Sequence, residues 1–295
     1  MNPTLPTPSH RTTFEDLARK KRDNEPIVMV TAYDYGSARA ADSGGVDMVL
    51  VGDSAATTVL GLSTTRDVSL DEMLMLTRAV HRGLAGPLLV GDIPFGCYEE
   101  SNTLALASAR RFVDAGCDAV KVEGAGPILD RVRALVGAGI PVMGHVGLKP
   151  QSLGPDDPPR VVGRSAESAE RLLIDARELE RAGCFSMVFE AVPALVTGRL
   201  MPLLGVPVIG IGAGPHTDGQ VLVAYDLLGL TERRVPRFAK RYARLKEIMT
   251  LAVQQFADDV RARRFPDEQY TYDIDPAELA ALDTYLAELD QTGNR

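Results

Sequence analysis

The chain has 295 residues, 45% apolar and 24% charged, with 27 glycines and 19 prolines. That is the profile of an ordinary globular protein and excludes fibrous or low-complexity classes. Its net charge of −8 argues against nucleic acid or an anionic membrane as the main partner, and no apolar run approaches the roughly 20 residues that span a bilayer.

The opening MNPTLPTPSHRTTF has no apolar core of the kind a signal peptide carries. Residues 1–13 read as a flexible leader. Two β-rich runs follow, PIVMVTAY (26–33) and VDMVLVG (46–52), then a helical pattern, SLDEMLMLTRAVHRG (69–83), with apolar residues at 70, 73, 74, 76 and 80. PLLVGD (87–92) is a third strand. NTLALASARRFVDAG (102–116) and PILDRVRALVGAG (127–139) end in glycine, as helices often do, and flank a fourth strand, DAVKVE (118–123). IPVMGH (140–145) precedes a helix over 165–182 with Leu172, Ala176 and Leu179 on one face. CFSMVFE (184–190), VPVIGIG (206–212) and QVLVAYD (220–226) complete eight strands.

Most of these runs are continuous Val/Ile/Leu/Met stretches, as expected for parallel strands buried on both faces. The repeated strand–helix alternation predicts a (β/α)8 TIM barrel over 14–267, a usual size for that fold. A doubly wound sheet is the competing architecture, because a count of strands does not establish closure. A long C-terminal helix is predicted past the eighth strand, with Phe238, Tyr242, Leu245, Ile248, Ala252, Phe256 and Val260 on one face. Residues 268–295 form a short acidic appendage with a helical pattern from Pro276. Cys97, Cys117 and Cys184 match no metal or redox spacing and read as reduced core thiols of a cytoplasmic protein.

Four acids end or directly follow strands: Asp53, Asp92, Glu123 and Glu190. In a barrel the C-terminal strand ends share one rim, where active sites form. Any one such acid is equally well a helix cap or a solvated side chain. Four on one rim repel unless a cation sits among them. Oxygen donors without a His or Cys cluster favour Mg2+, or else Mn2+, over Zn2+. We assign Asp53 and Asp92 as direct ligands, with Glu123 binding directly or through water. Lys121, two residues before Glu123, points to the same side of its strand. It is suited to hold a substrate carboxylate or form a Schiff base, or else is a salt-bridged core lysine. His145 is a general acid, a hydrogen-bond donor behind the metal ligands, or a structural histidine. Ser54 offers a hydroxyl or N–H to an anion, or caps a helix. GIGAG (210–214) fails the dinucleotide spacing; barrels often bind phosphate at this loop, but the stretch alone reads first as a tight turn. The basic run from Arg233 to Arg244 reads as a solvated or subunit-facing surface.

The stretches VTAYDY (30–35), LVGDS (50–54), DIPF (92–95), VKVEG (120–124), GHVGLKPQS (144–152), PVIGIGAG (207–214), DGQVLV (218–223) and PRFAK (236–240) resemble the ketopantoate hydroxymethyltransferase family, in order, from about residue 12 to 267. The resemblance implies a barrel akin to the phosphoenolpyruvate mutase and isocitrate lyase group. It implies transfer of a hydroxymethyl group from 5,10-methylenetetrahydrofolate to 3-methyl-2-oxobutanoate through a Mg2+-stabilised enolate, giving 2-dehydropantoate for pantothenate and coenzyme A synthesis. A cytoplasmic homodecamer is implied as well. By motif, Asp53, Asp92 and Glu123 are the metal residues, and Asp53, Ser54, Asp92 and Lys121 contact the oxo acid. Glu190, in FEAVP, is the proton acceptor.

Two places depart from the family pattern. The loop LGPDDPPRVVGR (153–164) carries Pro155, Pro158 and Pro159 in place of glycines and aromatics, and Lys149 replaces a threonine. Two other readings compete with the transferase: a Mg2+-dependent lyase or mutase on another small oxo acid, and a non-catalytic paralogue that binds one.

Overall fold

Residues 10–154, 157–232 and 235–291 are described by a computed structural model. Its strands are β1 (Ile27–Thr31), β2 (Met48–Val51), β3 (Leu88–Asp92), β4 (Ala119–Lys121), β5 (Val142–Gly147), β6 (Ser186–Glu190), β7 (Val208–Ile211) and β8 (Gly219–Leu222). All eight pair in parallel in sequence order, and β8 pairs back onto β1, so the sheet is a closed barrel rather than a doubly wound sheet.

Alternate residues of each strand fill the barrel. Ile27 and Met29, Met48 and Leu50, Leu88 and Val90, Ala119, Met143, Val188, Ile209 and Val221 form one apolar interior. The intervening residues, such as Val49, Leu89, Val120 and Met187, face the helices in a second core. Gly91 shows how closely the layers meet: a Cβ there would lie 2.4 Å from the Phe112 ring.

Local chemistry sets the helix ends. Ser69 and Glu72 form a capping box at the start of Leu70–Gly83, each side chain bonding the other's backbone N–H. Thr13 and Asp16 do the same for Phe14–Arg22. That helix closes the N-terminal end of the barrel, with Leu17 in the interior core and Phe14 edge-on to Phe185 at 4.8 Å. The end of the leader is tied down: Thr12 N donates to Gly86 O, and Arg11 pairs with Asp118. The rest of the leader, 1–9, lies outside the described residues.

The strand–helix alternation has one gap. Only residues 212–218 join β7 to β8, too few for a helix and rich in glycine and proline. Gly212 and Gly214 have positive φ in this link, so the chain turns in the second half of GIGAG, while Gly210 and Ile211 end β7.

The chain divides into two compact units, Met1–Ala243 and Arg244–Arg295. The long helix, Leu245–Arg261, thus groups with the tail. It starts later than the apolar spacing predicts. Residues 236–244 are not helical, so Phe238 and Tyr242 are not on its face. The backbone there is committed elsewhere: Tyr242 N and Ala243 N both donate to Leu227 O. Within the second unit, Phe256, Phe265 and Tyr270 pack ring to ring, and Pro276–Gln291 forms the predicted tail helix. Arg233, Arg234 and Pro155 lie outside the described residues. Cys117 and Cys184 are buried free thiols, whereas Cys97 is only half-buried. No helix among the described residues is long and apolar enough to cross a membrane.

Candidate active site

The inward period continues past the apolar interior to the C-terminal rim. Leu88 and Val90 lead to Asp92, Ala119 leads to Lys121 and Glu123, Met143 leads to His145, and Val188 leads to Glu190. The register sets Asp92 beside Lys121 and His145 beside Val188. These side chains, with Asp53 and Ser54, line one cavity of about 160 Å3 at the barrel mouth. Drug-sized ligands occupy roughly 300–1,000 Å3, so this space suits a small acid.

Asp53, Asp92, Glu123, Lys121 and His145 are all buried. Lys121 Nζ donates to Asp92 Oδ1 at 2.5 Å and lies 3.6 Å from Glu123 Oε1. Asp92 Oδ2 accepts from Asp53 N at 3.2 Å, which ties the loop after β2 to the end of β3. Burial pushes the Asp53 carboxyl well above its ordinary range, and the charges of Asp92 and Glu123 push it further; Lys121 and Gln151 oppose this. Burial also raises Asp92, against the pull of Lys121. Burial disfavours a charged Lys121, but Asp92, Glu123 and Asp53 more than offset it, so the ammonium is held above its usual pKa.

His145 bridges two acids. Its Nδ1 lies 3.1 Å from Glu123 Oε1 and its Nε2 3.3 Å from Glu190 Oε2. Neither contact is aligned as a hydrogen bond, so the attraction is mainly one of charge. Burial lowers the imidazole pKa, but the Glu123 carboxylate and the short contacts to both acids raise it to about 9. Glu190 differs from the other acids in being partly open to solvent. Its main chain is fixed by Gly147, which has φ +94° and whose missing Cβ would sit 2.2 Å from Glu190 O. Only glycine lets β5 and β6 meet that closely.

Ser54 does not cap the short helix Ala55–Thr58 with its side chain; its Oγ instead lies 2.8 Å from the Tyr33 hydroxyl. All seven predicted site residues therefore meet at one cavity. Two others escape sequence reasoning. Tyr98 and Gln151, both buried, lie behind the acids and bond to Asp53 and Glu123. Gln151 stands in GHVGLKPQS, so the motif held the signal without revealing its contacts.

A divalent cation suits this donor set. Asp53 and Asp92 are adjacent, oxygen-only and destabilised by their own charge. Every hydrogen bond described to the Asp53 carboxylate goes to Oδ2. Among the described residues no three His, Cys, Asp or Glu side chains form a preformed cage. Mg2+ does not require one, because it usually takes one or two carboxylates and completes its shell with water or substrate oxygens.

Residues 11–268 match the family model described as ketopantoate hydroxymethyltransferase. The chain is 51% identical over 265 residues to 3-methyl-2-oxobutanoate hydroxymethyltransferase of Thermobifida fusca, covering 90% of this chain and 94% of the relative. It is 49% identical over 278 residues to the enzyme of that name from Nitratidesulfovibrio vulgaris, covering 94% and 90%. Among solved structures, 2,3-dimethylmalate lyase, a PEP mutase/isocitrate lyase superfamily member, aligns with TM-score 0.56 and 18% identity over 96% of this chain and 99% of that one. That likeness concerns the fold alone.

Proposed function

The chain belongs to the ketopantoate hydroxymethyltransferase family, and from that premise we propose that it transfers a hydroxymethyl group from 5,10-methylenetetrahydrofolate to 3-methyl-2-oxobutanoate, giving 2-dehydropantoate. The observation that carries this reading is the ring of buried carboxylates around Lys121 at a cavity sized for a small acid. The family resemblance extends the proposal to a role in pantothenate and coenzyme A synthesis and to a cytoplasmic homodecamer.

Asp53 and Asp92 hold Mg2+, and Glu123 holds it directly or through water. When bound, Mg2+ would supply Lewis acidity to the oxo acid. Lys121 and Ser54 orient the substrate carboxylate. Glu190, on β6 and across the barrel from β2 and β3, takes the C3 proton. His145, against Glu190 Oε2 and Glu123 Oε1, holds the base in place and balances its charge. The carbanionic C3 then attacks the methylene carbon of the folate iminium; one water adds its hydroxyl to that carbon as the carbon–nitrogen bond breaks, and tetrahydrofolate leaves with the proton on its nitrogen.

Lys121 is an orienting cation in this account, because imine formation needs a neutral amine and its acid neighbours keep it protonated. Borohydride added with the oxo acid leaves Lys121 unmodified by mass spectrometry; a reduced adduct there would show that the carbanion forms through an imine. Mixing the protein with 3-methyl-2-oxobutanoate, methylenetetrahydrofolate and Mg2+ yields 2-dehydropantoate. Cleavage of another oxo acid in place of that product would assign a lyase, and binding without turnover a non-catalytic paralogue.

A further inference from the structure

We propose that Gln151, itself held by Tyr98, is a positioning residue for the cation site, fixing Asp53 and Glu123 in the arrangement that receives the metal. Gln151 lies in a single 3-10 turn, Pro150–Ser152, just after β5. Its backbone N donates to Glu123 Oε2 at 3.1 Å. Its side-chain Nε2 donates to Asp53 Oδ2 at 3.0 Å and to Ile93 O at 3.1 Å. Its Oε1 accepts from the Tyr98 hydroxyl at 2.9 Å, and that hydroxyl accepts from Glu123 N at 3.1 Å. One residue thus grips two of the three buried acids, one through its main chain and one through its amide.

The amide orientation follows from these partners. Turned over, the carbonyl oxygen would face the Asp53 carboxylate and the Ile93 carbonyl, three acceptors without a proton between them. Both N–H bonds of the amide are used, and the Tyr98 hydroxyl both donates and accepts. Neither residue lines the cavity, so both act from behind the acids.

The choice of a neutral amide has a chemical reason. Asp92 is held by an ammonium, whereas the described partner of the Asp53 side chain is Gln151. An amide fixes the rotamer through Oδ2 without neutralising the carboxylate, which leaves its charge and its Oδ1 for a cation. A second lysine in that place would compete with the metal.

This inference rests on the metal reading, and the test separates the two. Mn2+ binding to oxo-acid-free protein, followed by the loss of its free-ion EPR signal, is measured for wild type, Gln151→Met and Tyr98→Phe. Gln151→Met weakens Mn2+ binding about 10–100-fold, the range for partners that orient metal ligands. Tyr98→Phe keeps the buried ring and weakens it about 3–10-fold, as for one lost hydrogen bond. In C3 exchange assays the Mg2+ concentration for half-maximal rate rises by matching factors, and by more than the rate at saturating Mg2+ falls. Far-UV circular dichroism confirms folding; if Gln151→Met does not fold, Tyr98→Phe alone decides. Wild-type binding with both folded variants within twofold of it would overturn the clamp and leave the metal reading standing. A wild type that takes up no Mn2+ would overturn both.

Discussion

Exchange of the C3 proton of 3-methyl-2-oxobutanoate with deuterated solvent falls about 10²–10⁴-fold in Glu190→Gln, the range for removing a general base. The oxo acid still binds within a few-fold of its wild-type affinity. The geometry separates the two effects. Glu190 ends β6, on the opposite arc of the barrel from Asp53 and Asp92, and is the most open of the four acids. Glutamine has the same shape and retains an oxygen to face His145, so the replacement removes basicity with little rearrangement. Exchange measured by NMR at unchanged rate would exclude Glu190 as the base.

The second large effect is expected at Asp53. Asp53→Asn keeps an oxygen to accept from Gln151 Nε2 but lacks the charge a cation needs. The exchange rate falls about 10²-fold or more, because Lewis-acid stabilisation is worth several kcal/mol. Stability moves in the other direction. Burial and the charges of Asp92 and Glu123 already disfavour an ionised Asp53, so the metal-free variant melts no lower than metal-free wild type. Mg2+ at a hundredfold excess over its Kd stabilises wild type by about 2.7 kcal/mol, seen as a rise in Tm of several degrees, and leaves the variant unmoved. An equal Mg2+ response in both proteins would remove Asp53 from the metal site.

The barrel and its rim were legible because two sequence signals are local. Runs such as VDMVLVG mark strands buried on both faces, and period two along β4 sends Lys121 and Glu123 to the side that already carries Ala119. The helix Phe14–Arg22 was missed, because nine residues are too few to stand out by periodicity and its Thr13–Asp16 capping pair adjoins a stretch read as a flexible leader. What else failed was non-local. The Tyr98 hydroxyl meets Gln151 across 53 positions of chain, and Gln151 meets Asp53 across 98. No spacing rule reaches those distances. Phe238 and Tyr242 extended an apolar period by coincidence. Phe238 instead packs over Gly212, where a Cβ would lie 2.5 Å from its ring. The missing crossover helix before β8 was hidden because a strand count does not weigh the seven residues between two strands.

In the proposed mechanism a cation held by the buried acids activates the C3–H bond that Glu190 breaks. The most direct measurement follows deuterium incorporation at C3 of the oxo acid, without folate, in EDTA-stripped protein before and after Mg2+ is restored. Stripped protein shows no incorporation above the solvent rate, and Mg2+ restores it fully. Incorporation at the wild-type rate while EDTA remains in excess would contradict this mechanism.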